Sequence, residues 1–416
     1  MLLFCATLVA GCARTSGAPM LPTAASGTVE LSQRDSSGSY LSLYSFRGNT
    51  EGGNPQAGLV AVQGTLYGTT PSFGSGYGTV FSVSTSGKVK VLHSFHGFPD
   101  GAYPEAGLVW YKNALYGTTN GGGKHENGTV FTVTTSGAEH VLHSFGGRGD
   151  GAQPQAGLVA YQGVLYGTTK NGGTRGKGTV FEVTPSGDEH VMHSFAGAPN
   201  DGGHPDAGLV VVKGELYGVT RAGGETAGGG AAFKISVFGE LKLLHSFGVA
   251  SGDGSNPAGG LVYLKGVFYG TTLRGGDVGA GYGTVFALNR RGVEGVIHSF
   301  GTGDDGAFPV AGLVALRGKL YGTTMGGGFR PQGSNRCLSS GAPIDGARID
   351  SSEYYKCGTI FEINQFGQEH VLHRFSGDPD GANSEAGLAA MDGLLYGTTY
   401  WGGKENDFGT IFSLFP

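Results

Sequence analysis

Two landmarks recur together along this chain of 416 residues. A Gly-Leu pair begins at Gly58, Gly107, Gly157, Gly208, Gly260, Gly312 and Gly387. The tyrosine of an LYG or FYG triplet stands at Tyr67, Tyr116, Tyr166, Tyr217, Tyr269, Tyr321 and Tyr396. Both sets step by 49, 50, 51, 52, 52 and 75 residues, so the chain is seven copies of one unit. A period near 50 residues is the range of propeller repeats, in which each unit is a small sheet that cannot bury its faces alone.

Each copy holds four short apolar runs separated by turn residues. In the third they are AGLVAY (156–161), VLYGTT (164–169), GTVFEVT (178–184) and the run from Asp188 to Phe195, joined in part by Gln162-Gly163 and Pro185-Ser186-Gly187. Runs of this length between Gly and Pro signals read as antiparallel strands, and none has helical periodicity. The expected fold is all-β: a seven-bladed β-propeller over residues 40–416, with four antiparallel strands per blade. The array opens on LSLYSF (41–46), of the fourth-strand type, and closes on GTIFSLF (409–415), of the third-strand type. The N-terminal strand can therefore complete the last blade, closing the ring and covering an edge that invites aggregation. If the fourth-strand type were innermost, every blade would be sequential and no closure would be needed. The small, apolar AGLV run suits the crowded axis better.

Glycine accounts for 83 residues, about 20% of the chain against roughly 7% in ordinary proteins. The 38% apolar and 11% aromatic residues fall at fixed places in the repeat. Glycine here marks turns and close backbone approach rather than disorder. Net charge is −5 and no Lys/Arg run occurs, which argues against a nucleic-acid partner. No apolar run reaches the ~20 residues that span a bilayer.

The chain starts MLLFCATLVAGCARTSG. The apolar run ending Val9-Ala10-Gly11-Cys12 resembles a bacterial lipobox. Residues 1–12 then form a lipoprotein-type signal peptide and lipobox, and Cys12 carries the lipid; no Lys or Arg precedes the run, and a plain secretory signal is the alternative. Residues 13–39, rich in Ser, Thr, Gly, Ala and Pro, read as a flexible tether. The expectation is an exported protein, membrane-anchored at the periplasmic or cell surface through lipid alone, or secreted, and monomeric. Two further cysteines, Cys337 and Cys357, lie in one long loop and read as a disulfide in an exported chain.

The order AGLVxxxGxLYGTT followed by a Gly pair (Gly172-Gly173, Gly223-Gly224, Gly275-Gly276, Gly402-Gly403) is similar to the Kelch repeat. It departs in carrying GTT where Kelch has its Gly pair directly, and in lacking an outer-strand Trp. The LYGTT, GTVF and LHSF blocks across residues 41–416 more closely resemble the GloVer tandem repeats of bacterial proteins described as choice-of-anchor. That resemblance implies export and repetition, and no defined activity.

Six outer strands end in a His-x-Phe block, with His93, His143, His193, His245, His298 and His373. Strict strand alternation puts His143 on one face with Val141 and Phe145, away from acids, and so reads the six as structural. Tyr44 takes the place in the first copy. The links between blades repeat Asp-Gly at Asp100, Asp150, Asp201, Asp253, Asp305 and Asp380. These read first as turn residues. The sharper reading is calcium ligands; otherwise no cofactor is expected.

Short hairpin turns mark one face of the ring, and the longer links and the loops after LYGTT mark the other, where binding groups are expected. Just before the inner strand stand Gln56, Glu105, Gln155, Asp206, Ala258, Val310 and Glu385. Glu105, Asp206 and Glu385 are the candidate acids for glycoside chemistry, if any occurs; otherwise they form a solvated acidic rim. The sixth copy carries an insertion, about 325–357, on the same face. Arg330, Tyr354 and Tyr355 of that loop, with Tyr400 and Trp401 of the next blade, are the candidate binding residues. No nucleophile elbow, zinc motif, phosphate loop or dinucleotide fingerprint is present. The leading expectation is a non-catalytic binding module for a protein or glycan. A carbohydrate-active enzyme, of hydrolase or lyase type, and a passive surface-array protein are the alternatives.

Overall fold

A computed structural model describes residues 39–416 except 147–148, 278–280, 302–304, 329–356 and 405–407. Signal peptide, lipobox and almost all of the tether lie outside these residues, as does most of the blade-6 insertion. Among the described residues there is no helix, and the backbone forms seven small antiparallel sheets arranged as a seven-bladed β-propeller. In blade 3 the strands Val159–Tyr161, Val164–Thr169, Thr179–Val183 and Glu189–Ser194 follow one another from the axis outward. In blade 7 the order is Ala389–Met391, Leu394–Thr399, Thr410–Leu414 and then the N-terminal strand Tyr40–Ser45. The ring is closed by that last pairing.

The AGLV strand type is innermost. Each such strand lies beside its counterpart in the next blade, and Ala389–Met391 returns to Val60–Val62. The ladder part is only three residues long, shorter than the apolar run. The reason is that the preceding residues serve the neighbouring blades instead. The Ala156 carbonyl accepts a hydrogen bond from Thr118 Oγ1 of blade 2 at 3.1 Å, and Gly157 backs onto the Gly107 carbonyl.

The repeated motifs are blade-to-blade devices. The Phe that ends each outer strand is buried and meets the GTVF-type Phe of the next blade, with centroids 4.9–5.5 Å apart at all seven boundaries, from Phe46–Phe81 round to Phe375–Phe412. Such pairs add roughly 0.5–1.5 kcal/mol each beyond area burial. The first Thr of GTT donates to an inner-strand carbonyl of the next blade, as Thr69 does to Ala106 O at 3.0 Å. Thr398 to Ala57 O, 3.4 Å, repeats the bond across the closure. The second Thr pairs with the Thr that opens the third strand, as in Thr119–Thr129 at 2.8 Å. Blade 4 breaks the pattern, with Val219 and Ala231 at these places.

Hairpin turns such as Gln63-Gly64, both at positive φ (49° and 77°), mark one face. On the other, the Asp-Gly link pairs with the segment after GTT. Gly101–Ala102 pairs with Gly121–Gly122, and Gly151–Ala152 with Asn171–Gly172. The two long segments of a blade therefore share one face.

Candidate functional site

At the axis on the long-loop face, side chains two residues before the hub glycines reach across blade boundaries. Gln56 Nε2 donates to Glu385 Oε2 at 3.2 Å, and Gln155 Nε2 to Glu105 Oε2 at 2.9 Å. Asn120 Nδ2 donates to the other Glu105 oxygen at 3.1 Å. Arg221 Nη1 meets Asp206 Oδ2 at 3.3 Å. Burial raises the pKa of all three acids, and they act on one another: Asp206 raises Glu105, and Glu105 raises Glu385. Lys170 opposes the effect at Glu105; Lys170, Arg221 and His204 oppose it at Asp206. The three candidate acids thus belong to one electrostatically linked group at the mouth of the channel.

The mouth is two-sided. Blades 7 and 1 to 4 supply Glu385, Gln56, Glu105, Gln155 and Asp206, whereas blades 5 and 6 supply Ala258 and Val310. The position after GTT (GVT in blade 4) follows the division in part, with Asn120, Lys170 and Arg221 on blades 2 to 4 against Leu273 and Met325 on blades 5 and 6, while blade 1 has Pro71 there. Leu273, Met325 and Phe308 form one buried cluster with Val310 against it. Asn120, Lys170 and Arg221 are site residues that inspection of the pre-strand position alone misses. Their signal was the variation of the residue after each GTT.

Tyr400 and Trp401 touch edge to face, with centroids 4.7 Å apart. Tyr400 turns to the mouth: burial, then Glu385 and Glu105, raise its pKa. Trp401 is partly buried against the core between blades 6 and 7. Of the other candidates, Arg330, Tyr354, Tyr355 and Cys337 lie outside the described residues, and Cys357 is buried.

A second set of residues rings this face. Asn54, Tyr103, Gln153, His204, Asn256, Phe308 and Asn383 all have φ between 54° and 58°. A left-handed non-Gly residue costs roughly 1–2 kcal/mol. Backbone bonds between blades hold it there. The Tyr103 amide donates to Tyr77 O at 2.8 Å and the Tyr103 carbonyl accepts from Asn120 N at 2.9 Å.

The outer histidines do not sit as strand alternation expects. Every outer strand has a register shift. In blade 2, Phe131 faces Val141 and Val130 faces His143, leaving Leu142 as the bulged residue. The bulge turns the histidine off the Val141 face, and it meets the aspartate of the following link. His143 Nε2 is 3.1 Å from Asp150 Oδ2, and His93, His193, His245, His298 and His373 stand 3.1–3.4 Å from Asp100, Asp201, Asp253, Asp305 and Asp380. The reading that these histidines lie away from acids is therefore wrong. Backbone amides also cap the aspartates, as Gly151 N caps Asp150 Oδ1 at 2.6 Å. In the seventh place the Tyr44 hydroxyl donates to Glu51.

The Gloeobacter/Verrucomicrobia repeat model matches residues 22–169 and 139–335. The chain belongs to the Gloeobacter/Verrucomicrobia repeat family. No curated protein matches it by sequence. Among solved structures, a Xanthomonas campestris gluconolactonase is similar at 14% identity and a TM-score of 0.41, covering 74% of this chain and 84% of its own. A second protein, described provisionally as a gluconolactonase, has the same identity and TM-score, covering 74% and 87%. Likeness at this level establishes no equivalence of sites.

In this Gloeobacter/Verrucomicrobia repeat protein the mouth has a measurable pH signature. The Glu385 carboxyl is pushed up to about 7, first by burial and then by Glu105, against the hydrogen bond from Gln56. A carboxyl raised on folding stabilises fully below its unfolded value near 4.5, and that contribution is lost as pH rises through about 7. Glu385→Gln removes the charge and keeps the shape. It is expected to raise Tm relative to wild type at pH 8, with the difference vanishing near pH 4. Thermal melts across that range are the check; an equal difference at both ends contradicts the assignment.

Proposed function

We propose that this protein is a non-catalytic binding module that takes a glycan in the axial mouth of its long-loop face. The observation that carries the reading is the two-sided mouth. Carboxylates and amides on five adjacent blades offer acceptors and donors for sugar hydroxyls, and Ala258 and Val310 on the other two offer an apolar wall for a ring face. Tyr400 adds an aromatic edge beside Glu385. Concave sites with few polar groups set among apolar walls are the common form of small-ligand pockets. The lipobox-like Val9-Ala10-Gly11-Cys12 suggests an exported, lipid-anchored protein, and a Cys337–Cys357 disulfide would suit such a compartment.

A glycan-array screen of the protein tests the reading. The expected result is a saturable ligand whose affinity falls at least tenfold in Asp206→Asn and in Tyr400→Ala, since a hydrogen bond to a charged group is worth roughly 1.5–3 kcal/mol. Trp401→Ala is expected to weaken binding less. Binding that survives both mouth substitutions, or no binding to any glycan, rejects the proposal. A second reading, glycoside cleavage, is favoured by one observation. Glu385, held neutral up to about 7, lies in the field of Glu105, which offers a proton donor beside a carboxylate. New reducing ends on incubation with bound oligosaccharides would decide for it.

A further inference from the structure

The outer rim carries a second constellation, independent of the mouth. At four blade boundaries the His–Asp pair acquires a third group, the glutamate that opens the next outer strand. The sets are His93, Asp100 and Glu139; His143, Asp150 and Glu189; His245, Asp253 and Glu294; His298, Asp305 and Glu369. In each, one nitrogen or oxygen from every residue lies within 4.8 Å of the other two. Glu189 Oε2 is 3.9 Å from His143 Nε2, and Glu294 Oε2 is 4.0 Å from His245 Nε2.

These are not ordinary solvated acids. The Glu189 and Glu294 side chains are only 10% and 9% exposed. The Oε1 atoms of Glu139, Glu189, Glu294 and Glu369 are all buried without a hydrogen-bond partner, and His245 Nε2 and His298 Nε2, each 3.4 Å from its aspartate, make no well-aligned hydrogen bond there. A buried polar atom left unpaired is costly, and its recurrence at four equivalent places asks for a common partner. Two carboxylates beside an imidazole would be satisfied by a divalent cation. Donors held about 2.0–2.2 Å from one ion stand on the order of 3–4 Å apart, which these atoms approach. The imidazole nitrogen favours a first-row transition metal such as zinc over calcium.

We infer that these four His–Asp–Glu sets are divalent transition-metal sites that clamp adjacent blades at the rim. Each ion would join three segments: the outer strand of one blade, the link after it, and the outer strand of the next. Grooves outside two of the sets, about 660 Å³ beside Asp100 and Glu139 and about 650 Å³ beside His245 and Asp253, leave room for water in the remaining coordination positions. On binding, the ion takes the imidazole Nε2 lone pair. Any proton there is released to solvent, and Nδ1 keeps its hydrogen. The other three boundaries are built-in controls. Leu241 replaces the glutamate beside His193 and Asp201. Tyr40 replaces it beside His373 and Asp380, its ring stacked on the His373 ring at 3.9 Å. Val89 replaces it beside Tyr44 and Glu51.

The test is calorimetric titration of the chelator-stripped full chain with Zn²⁺ at neutral pH. Saturable binding of four equivalents is expected, with a rise in Tm. Glu189→Gln should lose one equivalent, and the quadruple Glu→Gln variant at 139, 189, 294 and 369 should lose all four. Leu241→Glu should add a fifth, since His193 and Asp201 are already paired there at 3.2 Å. No saturable Zn²⁺ binding overturns the proposal. So does a stoichiometry unchanged in Glu189→Gln and Leu241→Glu, both judged folded by circular dichroism. Should the quadruple variant fail to fold, those two single variants decide.

Discussion

Deleting residues up to Phe46 is expected to abolish the single cooperative melt of this propeller and to make it associate with itself. The N-terminal strand belongs to blade 7 but is fastened on both sides. Its Tyr40 hydroxyl donates to Asp380 O of the blade 6–7 link at 2.7 Å. Phe46 at its end is fully buried against Leu59, Leu66 and Phe81 of blade 1. Its amide donates to Gly409 O at 2.9 Å. Without the strand, Thr410–Leu414 becomes a bare edge and the boundary between blades 7 and 1 loses its aromatic pair. Phe46→Ala alone should cost roughly 3–5 kcal/mol, the usual range for emptying a buried Phe site. Denaturant melts and sedimentation measure both effects. A synthetic peptide of residues 39–47 should restore a monomeric, cooperative species, because an edge strand binds mainly through its backbone. A truncated chain that stays monomeric and melts as the wild type does would show that closure contributes little.

The second large effect is expected at the hub. The seven Gly-Leu glycines abut one another around the axis, each against the carbonyl of the glycine in the preceding blade. None of them has a left-handed φ, so space and not backbone freedom is what requires glycine. A Cβ on Gly58 would stand 2.8 Å from Gly387 O, and one on Gly312 2.8 Å from Gly260 O. Those partners are backbone atoms of a closed ring, and to yield they must move a whole blade. Gly58→Ala and Gly312→Ala are therefore expected to lose roughly 1–3 kcal/mol, as overpacked sites do. At Gly260 and Gly387 the same Cβ would have 3.6 Å of clearance. Alanine there should be neutral or gain up to about 1 kcal/mol by restricting the unfolded chain. Equal losses at all four positions would mean that steric approach at the axis does not set the requirement.

Much of the architecture was legible in local pattern. Turn pairs such as Gln162-Gly163 and the period-two runs between them give strand number and order, and the mismatch between the LSLYSF start and the GTIFSLF end gives the closure. The mouth was legible in part. Glu105, Asp206 and Glu385 stand out because they break the repeat at a position beside the axis. Asn120, Lys170 and Arg221 vary just as openly after GTT, but nothing local says that a loop residue beyond the second strand of one blade returns to the same opening.

The rim was misread for a definite reason. Alternation assigns faces on the assumption of an unbroken ladder, and a one-residue bulge at Leu142 is a property of pairing with Val130 and Phe131 rather than of the outer strand itself. Only with that bulge does His143 meet Asp150, and only a neighbouring blade brings Glu189, 46 residues on, to the same point. By itself the chain's periodicity determined seven equivalent sheets, because those follow from interactions between residues close in sequence; the strand types at its two ends pointed to closure, although the pairing that makes it, Tyr40–Ser45 with Thr410–Leu414, spans almost the whole described chain. Which side chains share a site was decided by the ring, since the groups that meet at the mouth and at the rim come from different blades and are adjacent only once those blades have packed.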